Sequence, residues 1–202
     1  LADRCVKSGG PALMFENVEG YEMPVVINLF GTHQRVAWAL GVDNMDDLTA
    51  RVRKLLAMVQ GPPSGLKDKI GVLSDLVGVS RAQPKTVSNA PCQEVVVIGD
   101  DVDLNTLPAL KCSPMDAGRF ITLPLVISRD PETGRRNVGT YRMQIYDSNT
   151  TGMHWQTHKV GAHHYRQGET KGQDRLDVAV ALGGDPTTIW AGSLPLPPDM
   201  DE

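Results

Sequence analysis

At 202 residues, with 41% hydrophobic and 22% charged residues, the chain can bury a core of one or two domains. Its net charge of -4 gives no reason to expect nucleic-acid binding. Three widely spaced cysteines favour a reducing compartment over a disulfide framework, and no apolar run reaches the length of a membrane span. We therefore expect a cytoplasmic protein without a membrane span.

The N-terminal part of the sequence predicts an αβ domain. Short apolar runs over 12–18 and 24–30 are typical of strands. Asn44 is a suitable N-cap for a helix whose apolar residues recur on one face over 48–59, and a second helix is predicted over 66–77. This part contains no dense polar cluster, so we interpret it as a folding or assembly domain.

A polar segment over 79–93, with two prolines, is typical of a linker. The run EVVVIG over 94–99 predicts a buried strand, and a long loop follows it. Asp100 and Asp101 at its start could bind a metal ion or form a solvated turn. These features predict two domains, 1–98 and 99–202.

The second domain begins with successive strands joined by short turns. Strands are predicted over 124–130, 136–146 and 152–159. Gly134 supplies the positive φ of the first turn, and the run DSNTTG forms the second. Antiparallel strands in this order are typical of a barrel or a sandwich.

Alternation along the strand over 152–159 would place His154, Gln156 and His158 on one face. Asn137 and Arg142 are five residues apart, so a regular strand would direct them to opposite faces. We therefore predict a bulge at the intervening glycine, which would bring both to one side.

The rest of the chain is polar and ambiguous over 160–173, where we interpret His163 and His164 as surface residues or residues behind a site. A further strand is predicted over 177–184. Asp185 followed by Pro186 predicts the N-cap and first residue of a short helix, before a proline-rich tail.

Three runs resemble the UbiD family of reversible, non-oxidative decarboxylases: NVGTYRMQ from Asn137, TGMHWQTHK from Thr151, and LGGDPTTIWAGSLPLPPDMDE from Leu182. The resemblance extends from about Phe15 to the last residue. Members of this family use prenylated FMN, a divalent metal that is usually manganese, and potassium. The resemblance implies an α+β fold, with an N-terminal αβ domain followed by the first part of a split β-barrel of flavin-binding type.

Asn137, His158 and Glu202 match the family's ligands for the divalent ion, and a mixed oxygen and nitrogen donor set suits a manganese-like ion. We expect Asn137 and His158 to lie within reach of one ion, on neighbouring strands. The resemblance also implies a potassium site formed by backbone carbonyls. Its matching positions are Val138, Gly192 and Leu194.

Arg142 taken alone is typical of a surface strand, but it matches the arginine of the family's Glu-Arg-Glu catalytic set, which can bind the substrate carboxylate. Trp155 taken alone would belong to the core. The resemblance implies a flavin site lined by Thr140, Tyr141, Arg142, His154, Trp155, Gln156, Lys159 and Val160. Some relatives have arginine in place of His154.

The family's two catalytic glutamates lie beyond the position of Glu202. We therefore predict that this chain supplies the cofactor- and metal-binding part of a decarboxylase of small aromatic or α,β-unsaturated carboxylic acids. It would act as a homo-oligomer or with a polypeptide that carries the missing C-terminal part. The alternative is a non-catalytic subunit that binds cofactor or assists assembly. In either case, we expect the 202 residues alone to be inactive.

Overall fold

The computed structural model describes residues 1–60 and 85–194. The chain divides into two compact units. The first contains Asp3–Gly10 and the described residues of 30–101, and the second contains Pro11–Leu29 and the described residues from Val102 onward. No helix of these described ranges is both long and apolar enough to cross a membrane.

The first unit is helical, with α1 at Ala2–Lys7, α2 at His33–Ala39 and α3 at Met45–Gln60. Asn44 accepts a hydrogen bond at Oδ1 from the Asp47 N–H (3.0 Å) just before α3, which confirms it as the N-cap. The helix predicted over 66–77 lies outside the described residues.

The prediction of a buried strand at EVVVIG is wrong. Val95 and Ile98 are 81% and 73% exposed, and no strand of the described chain pairs with this run. β-Branched residues favour a strand only where a neighbouring strand satisfies their backbone groups and covers their side chains. Residues 94–98 instead have no regular secondary structure and lie between short 3₁₀ turns at Pro91–Gln93 and Gly99–Asp101.

The second unit begins with an antiparallel hairpin, β1 at Leu13–Phe15 and β2 at Val25–Ile27, which confirms the two short N-terminal strands. Six further strands form two antiparallel three-stranded sheets. They are β3 at Phe120–Ile121, β4 at Leu125–Arg129, β5 at Arg136–Thr140, β6 at Met143–Ile145, β7 at Thr151–Met153 and β8 at Ala179–Ala181.

The first of these sheets has the order β3-β6-β7, and the second has the order β5-β4-β8. The turn from β4 to β5 has Gly134 at φ 72°, as the sequence predicted. The β6–β7 hairpin is closed by a hydrogen bond from the Tyr146 N–H to the Thr150 carbonyl (3.0 Å), close to the predicted turn. The described strands do not form a closed barrel.

The single strand predicted over 136–146 is in fact two strands in different sheets. The chain leaves β5 after Thr140 and enters β6 at Met143, so Tyr141 and Arg142 form the crossing. The predicted bulge at Gly139 is also wrong, because the β4–β5 register is regular there and Gly139 lies opposite Val126. The chain changes direction by leaving the sheet rather than by a bulge within it.

The strand predicted over 152–159 ends at Met153. Helix α4 at Val160–Thr170 follows and packs on β4 and β5, and helix α5 at Pro186–Ala191 comes after β8. Asp185 accepts hydrogen bonds at Oδ1 from the N–H groups of Thr187 (2.9 Å) and Thr188 (3.3 Å), which confirms the predicted N-cap of α5.

Candidate functional site

Tyr141 connects the end of β5 to the start of α4. Its side chain is 5% exposed in a core with Val126 and Met143, and its hydroxyl accepts a hydrogen bond from the Gly161 N–H (3.2 Å). The Trp155 ring meets the Tyr141 ring edge-on, with centroids 6.2 Å apart. A Cβ at Gly161 would lie 2.9 Å from the Trp155 ring, so this close approach requires glycine.

Three buried polar atoms beside this core have no hydrogen-bond partner in the described chain: Asn137 Nδ2, Thr140 Oγ1 and Trp155 Nε1. Asn137 itself is 9% exposed. A buried polar group without a partner is costly, and most such groups in proteins are paired. Each of these atoms would be stabilised by a polar group from outside the described residues, and Asn137 and Thr140, three residues apart on the regular strand β5, face opposite sides of the sheet.

The N-terminus of α4 lies next to these residues in sequence. Lys159 is the N-cap residue, and its side chain makes no capping hydrogen bond. The N–H groups of a first helical turn attract anions, and in α4 one of them, that of Gly161, already donates to the Tyr141 hydroxyl. His154, Gln156, His158, Lys159 and Val160 are all exposed around this helix end.

The shared face predicted for His154, Gln156 and His158 is wrong, because these residues follow the end of β7 and do not form a strand. His158 lies in the turn before α4, while Asn137 is buried on β5 opposite Ser128. The expectation that Asn137 and His158 stand on neighbouring strands is therefore also wrong. Their binding to one ion stays a prediction.

Glu202 lies outside the described residues. Among those that are described, no three His, Cys, Asp or Glu side chains are grouped so that they could bind a metal ion. The candidate divalent site thus has two described members, Asn137 and His158.

Two of the three positions predicted for potassium, Val138 and Gly192, lie close to each other. The Gly192 carbonyl accepts a hydrogen bond from the Thr140 N–H (3.0 Å), and a Cβ at Gly192 would lie 3.5 Å from Val138 Cγ1. A carbonyl oxygen has two lone pairs, so this hydrogen bond leaves one for an ion. Leu194 follows α5 and is 40% exposed.

Arg142 forms an ion pair that sequence reasoning missed. Its Nη1 and Nη2 donate to Asp116 Oδ1 (3.2 Å) and Oδ2 (2.8 Å), and its Cζ lies 3.8 Å from the centroid of the Phe120 ring. The hydrogen bond from Arg142 holds the pKa of Asp116 below its usual value, and the same bond raises the pKa of Arg142. The sequence shows Asp116 only as an acid within a long loop.

His164 is buried rather than on the surface. It is 5% exposed on α4, and its Nδ1 lies 3.0 Å from Ser128 Oγ of β4 in a hydrogen bond. Burial lowers the pKa of His164, and the His163 charge lowers it further, against the opposing effect of Asp130. His163 is exposed, as the sequence predicted.

Comparison with known proteins identifies the family. Residues 85–202 match the 3-octaprenyl-4-hydroxybenzoate carboxy-lyase Rift-related domain, and residues 1–55 match the N-terminal domain of the same carboxy-lyases. The chain belongs to the UbiD family.

An uncharacterised protein of Archaeoglobus fulgidus is 47% identical over the whole chain, which spans 40% of that relative's length. The closed form of vanillic acid decarboxylase from Sedimentibacter hydroxybenzoicus has a TM-score of 0.74 and 27% identity, over 97% of this chain and 39% of that one.

An evolved dimeric form of the UbiD-class enzyme HmfF from Pelotomaculum thermopropionicum, in complex with prFMN, has a TM-score of 0.68 and 28% identity. That similarity covers 92% of this chain and 38% of the enzyme. The present chain thus spans about two fifths of the length of these relatives and resembles the corresponding part of UbiD-class decarboxylases.

Proposed function

We propose that the full-length protein containing this chain is a reversible decarboxylase of a small aromatic or α,β-unsaturated carboxylic acid, dependent on prenylated FMN. This chain supplies the part that binds the cofactor and metal. One observation carries the proposal: Asn137, Thr140 and Trp155, all within the family's motifs, bury polar atoms that have no partner in the described chain.

These residues fit a phosphorylated flavin. The start of α4, where Lys159 at the N-cap makes no capping hydrogen bond and the Gly161 N–H donates to Tyr141, leaves the N–H of Val160 for a phosphate group. Thr140 Oγ1 and Trp155 Nε1 make no hydrogen bond to a described residue, so each would be satisfied by a polar ligand. The rest of the proposed flavin site consists of Tyr141, Arg142, His154, Gln156 and Val160.

A divalent ion suits the same region, because a flavin phosphate carries negative charge that is costly to bury without neutralisation. Asn137, His158 and Glu202 would bind this ion, and their oxygen and nitrogen donors favour manganese over a thiophilic metal. Backbone carbonyls at Val138, Gly192 and Leu194 would bind potassium.

Within this site, Arg142 would bind the carboxylate of the substrate by charge-assisted hydrogen bonds. The prenylated flavin, when bound, supplies the electron sink for breaking the bond to the carboxylate carbon. Acids in the remainder of the full-length protein would return the proton. That remainder, or a second polypeptide, would also complete a split barrel from the two sheets, and we propose a homo-oligomeric assembly.

The test uses the full-length protein, expressed with and without a supply of prenylated FMN and assayed with manganese and potassium. A panel of cinnamic and hydroxybenzoic acids should yield decarboxylated product only in the loaded protein. Product formation at equal rates without the flavin would contradict the proposal. Flavin binding without turnover of any acid would instead favour a non-catalytic cofactor-binding subunit.

A further inference from the structure

The loop before β3 has a defined structure around Asp116. The Ser113 N–H donates to Asp116 Oδ2 (3.1 Å), and the Asp116 N–H donates to the Ser113 carbonyl (3.0 Å). The Asp116 side chain is 16% exposed. These two hydrogen bonds within one turn hold the Asp116 carboxylate in place independently of Arg142.

Arg142 is restricted on three sides. Its carbonyl accepts a hydrogen bond from the His154 N–H (3.0 Å), which fixes its backbone at the crossing between the sheets. One face of its guanidinium lies on the Phe120 ring, and Asp116 takes one hydrogen from each terminal nitrogen. A guanidinium has five N–H donors, so this pair leaves donors for a second acid.

We propose that Asp116 is a positioning residue that holds the Arg142 guanidinium in one orientation, so that its remaining donors can receive the carboxylate of a substrate. The inference rests on the proposed function, since it assigns Asp116 to the same site. Asp116 touches neither substrate nor cofactor in this role and acts through Arg142.

The opposite charges of Asp116 and Arg142 determine how the loss of Asp116 would affect kcat and KM. Asp116 offsets the positive charge of Arg142, so the guanidinium binds an acid by directed hydrogen bonds rather than as a bare cation. Loss of the Asp116 charge would leave Arg142 attractive to carboxylates but less well oriented. The chemical step should therefore suffer more than the affinity.

The test compares Asp116→Asn with wild type in the loaded full-length protein, because asparagine keeps the size and removes the charge. We expect kcat to fall by about 10- to 100-fold, as for other small displacements of a binding group, while KM changes by less than about threefold. Asp174→Asn is the matched control, because Asp174 pairs with Arg175 in a solvent-exposed ion pair. This control should keep wild-type kinetics.

Two kinetic results would overturn the proposal. Unchanged kcat and KM in Asp116→Asn would show that the pair serves only the stability of the loop. A lower KM with kcat unchanged or raised would show that Asp116 competes with the substrate for Arg142 instead of positioning it.

A crystal structure of full-length Asp116→Asn separates this inference from the proposed function. We expect the Arg142 guanidinium to leave its position over Phe120 in the variant, whether or not the protein decarboxylates anything. A guanidinium that stays in place without the Asp116 carboxylate would refute the positioning role. Absence of turnover in wild type, together with a displaced guanidinium in the variant, would refute the proposed function alone.

Discussion

The burial of Asn137 lowers the folding stability of the protein when no ligand is bound. The residue is 9% exposed, and its buried Nδ2 atom has no partner in the described chain. A buried unpaired polar group typically costs about 1–3 kcal/mol. A hydrogen-bond acceptor such as a flavin phosphate that receives this N–H would offset the cost only in the loaded protein, whereas a metal ion would be bound by the Asn137 Oδ1 atom.

We predict that Asn137→Ala does not lower the thermal stability of the full-length apoprotein but weakens metal-dependent flavin binding at least about tenfold. Apoprotein melting and flavin titration with manganese should be measured together. Asn149→Ala is the control, because Asn149 lies in the exposed β6–β7 turn. Equal flavin affinity in Asn137→Ala and wild type would remove Asn137 from the proposed site.

Arg142→Ala should leave flavin binding largely intact and lower turnover by at least about 10²-fold, since a group that stabilises developing charge contributes on that order. Flavin absorbance and product formation are the two readouts. Arg175→Ala, at an 82% exposed side chain, should retain turnover. Normal turnover of Arg142→Ala would exclude it from the catalytic set.

His164 gives the protein a predicted pH dependence. Its folded pKa lies below the ordinary value of 6.5 because the ring is buried, so the unfolded chain binds a proton at a pH where the folded chain does not. Its contribution to stability is complete above pH 6.5 and is lost as the pH falls from there through the folded pKa. Acidification should therefore destabilise the fold.

Urea unfolding of the full-length protein at pH 7.5 and 5.5 checks this prediction. Between pH 7.5 and 5.5, the unfolding free energy should fall less in His164→Gln than in wild type. The variant lacks the buried imidazole that must stay neutral in the folded protein. His163→Gln, at the exposed neighbour, should keep most of the loss. An identical loss in wild type and His164→Gln would contradict the prediction.

The start of α4 depends on close contact with Trp155. A Cβ at Gly161 would lie 2.9 Å from that ring, whereas a Cβ at Gly168, on the same helix, meets first the end of the Gln173 side chain at 3.0 Å. The first neighbour is packed against a core and the second can move aside. The two glycines should therefore respond differently to the same substitution.

We predict that Gly161→Ala destabilises the full-length protein by about 1–3 kcal/mol, because the added methyl overpacks the contact. Gly168→Ala should be neutral or stabilising by up to about 1 kcal/mol, since alanine is the better helix former. Denaturant unfolding measures both. Equal effects of the two substitutions would show that the contact with Trp155 does not secure α4.

Local signals predicted much of the secondary structure. The side-chain caps at Asn44 and Asp185 act within three residues, and the glycine turn at Gly134 is equally local, so the sequence was sufficient for each. The predictions that failed depend on strand pairing with residues that are distant in sequence. Nothing within Val95–Ile98 shows whether a strand will be available to pair with it, and nothing in 136–146 shows that the one predicted strand serves two sheets.

The candidate site shows the same contrast between local signals, which the sequence reveals, and contacts between distant residues, which it does not. The motif residues were identifiable by resemblance, and the structure shows that Asn137, Thr140 and Trp155 each bury a polar atom without a partner among the described residues. Asp116 was missed because its pairing with Arg142 joins a loop to a strand crossing that lie far apart in sequence. No short-range pattern encodes such a pair.

At the scale of the whole molecule, the described chain leaves many apolar side chains uncovered. Met14, Val26, Leu123 and Leu182 are 46–60% exposed in the second unit. Contiguous exposed apolar surface favours association. The relatives are about two and a half times longer than the matched segment, which spans 40% of the first. We propose that the additional chain covers this surface.

We predict that residues 1–202 purified alone aggregate or need a completing polypeptide, and that they do not decarboxylate when loaded with prenylated FMN, manganese and potassium. A missing proton donor typically costs about 10²–10⁴-fold in rate. Light scattering and the same panel of acids provide the measurements, with the full-length protein as control. Sustained turnover by a soluble monomer of the short chain would show that the proton donor lies within it.

The strand order of the second unit also has a consequence for how the chain folds. Hairpins β4–β5 and β6–β7 each join strands that are neighbours in sequence, whereas β8 pairs with β4 only after β5, β6, β7 and α4 have intervened. Pairings that close long loops form later than local ones. During synthesis, both hairpins leave the ribosome before β8 exists, so the outer edge of β4 stays open to wrong partners until Ala179 emerges.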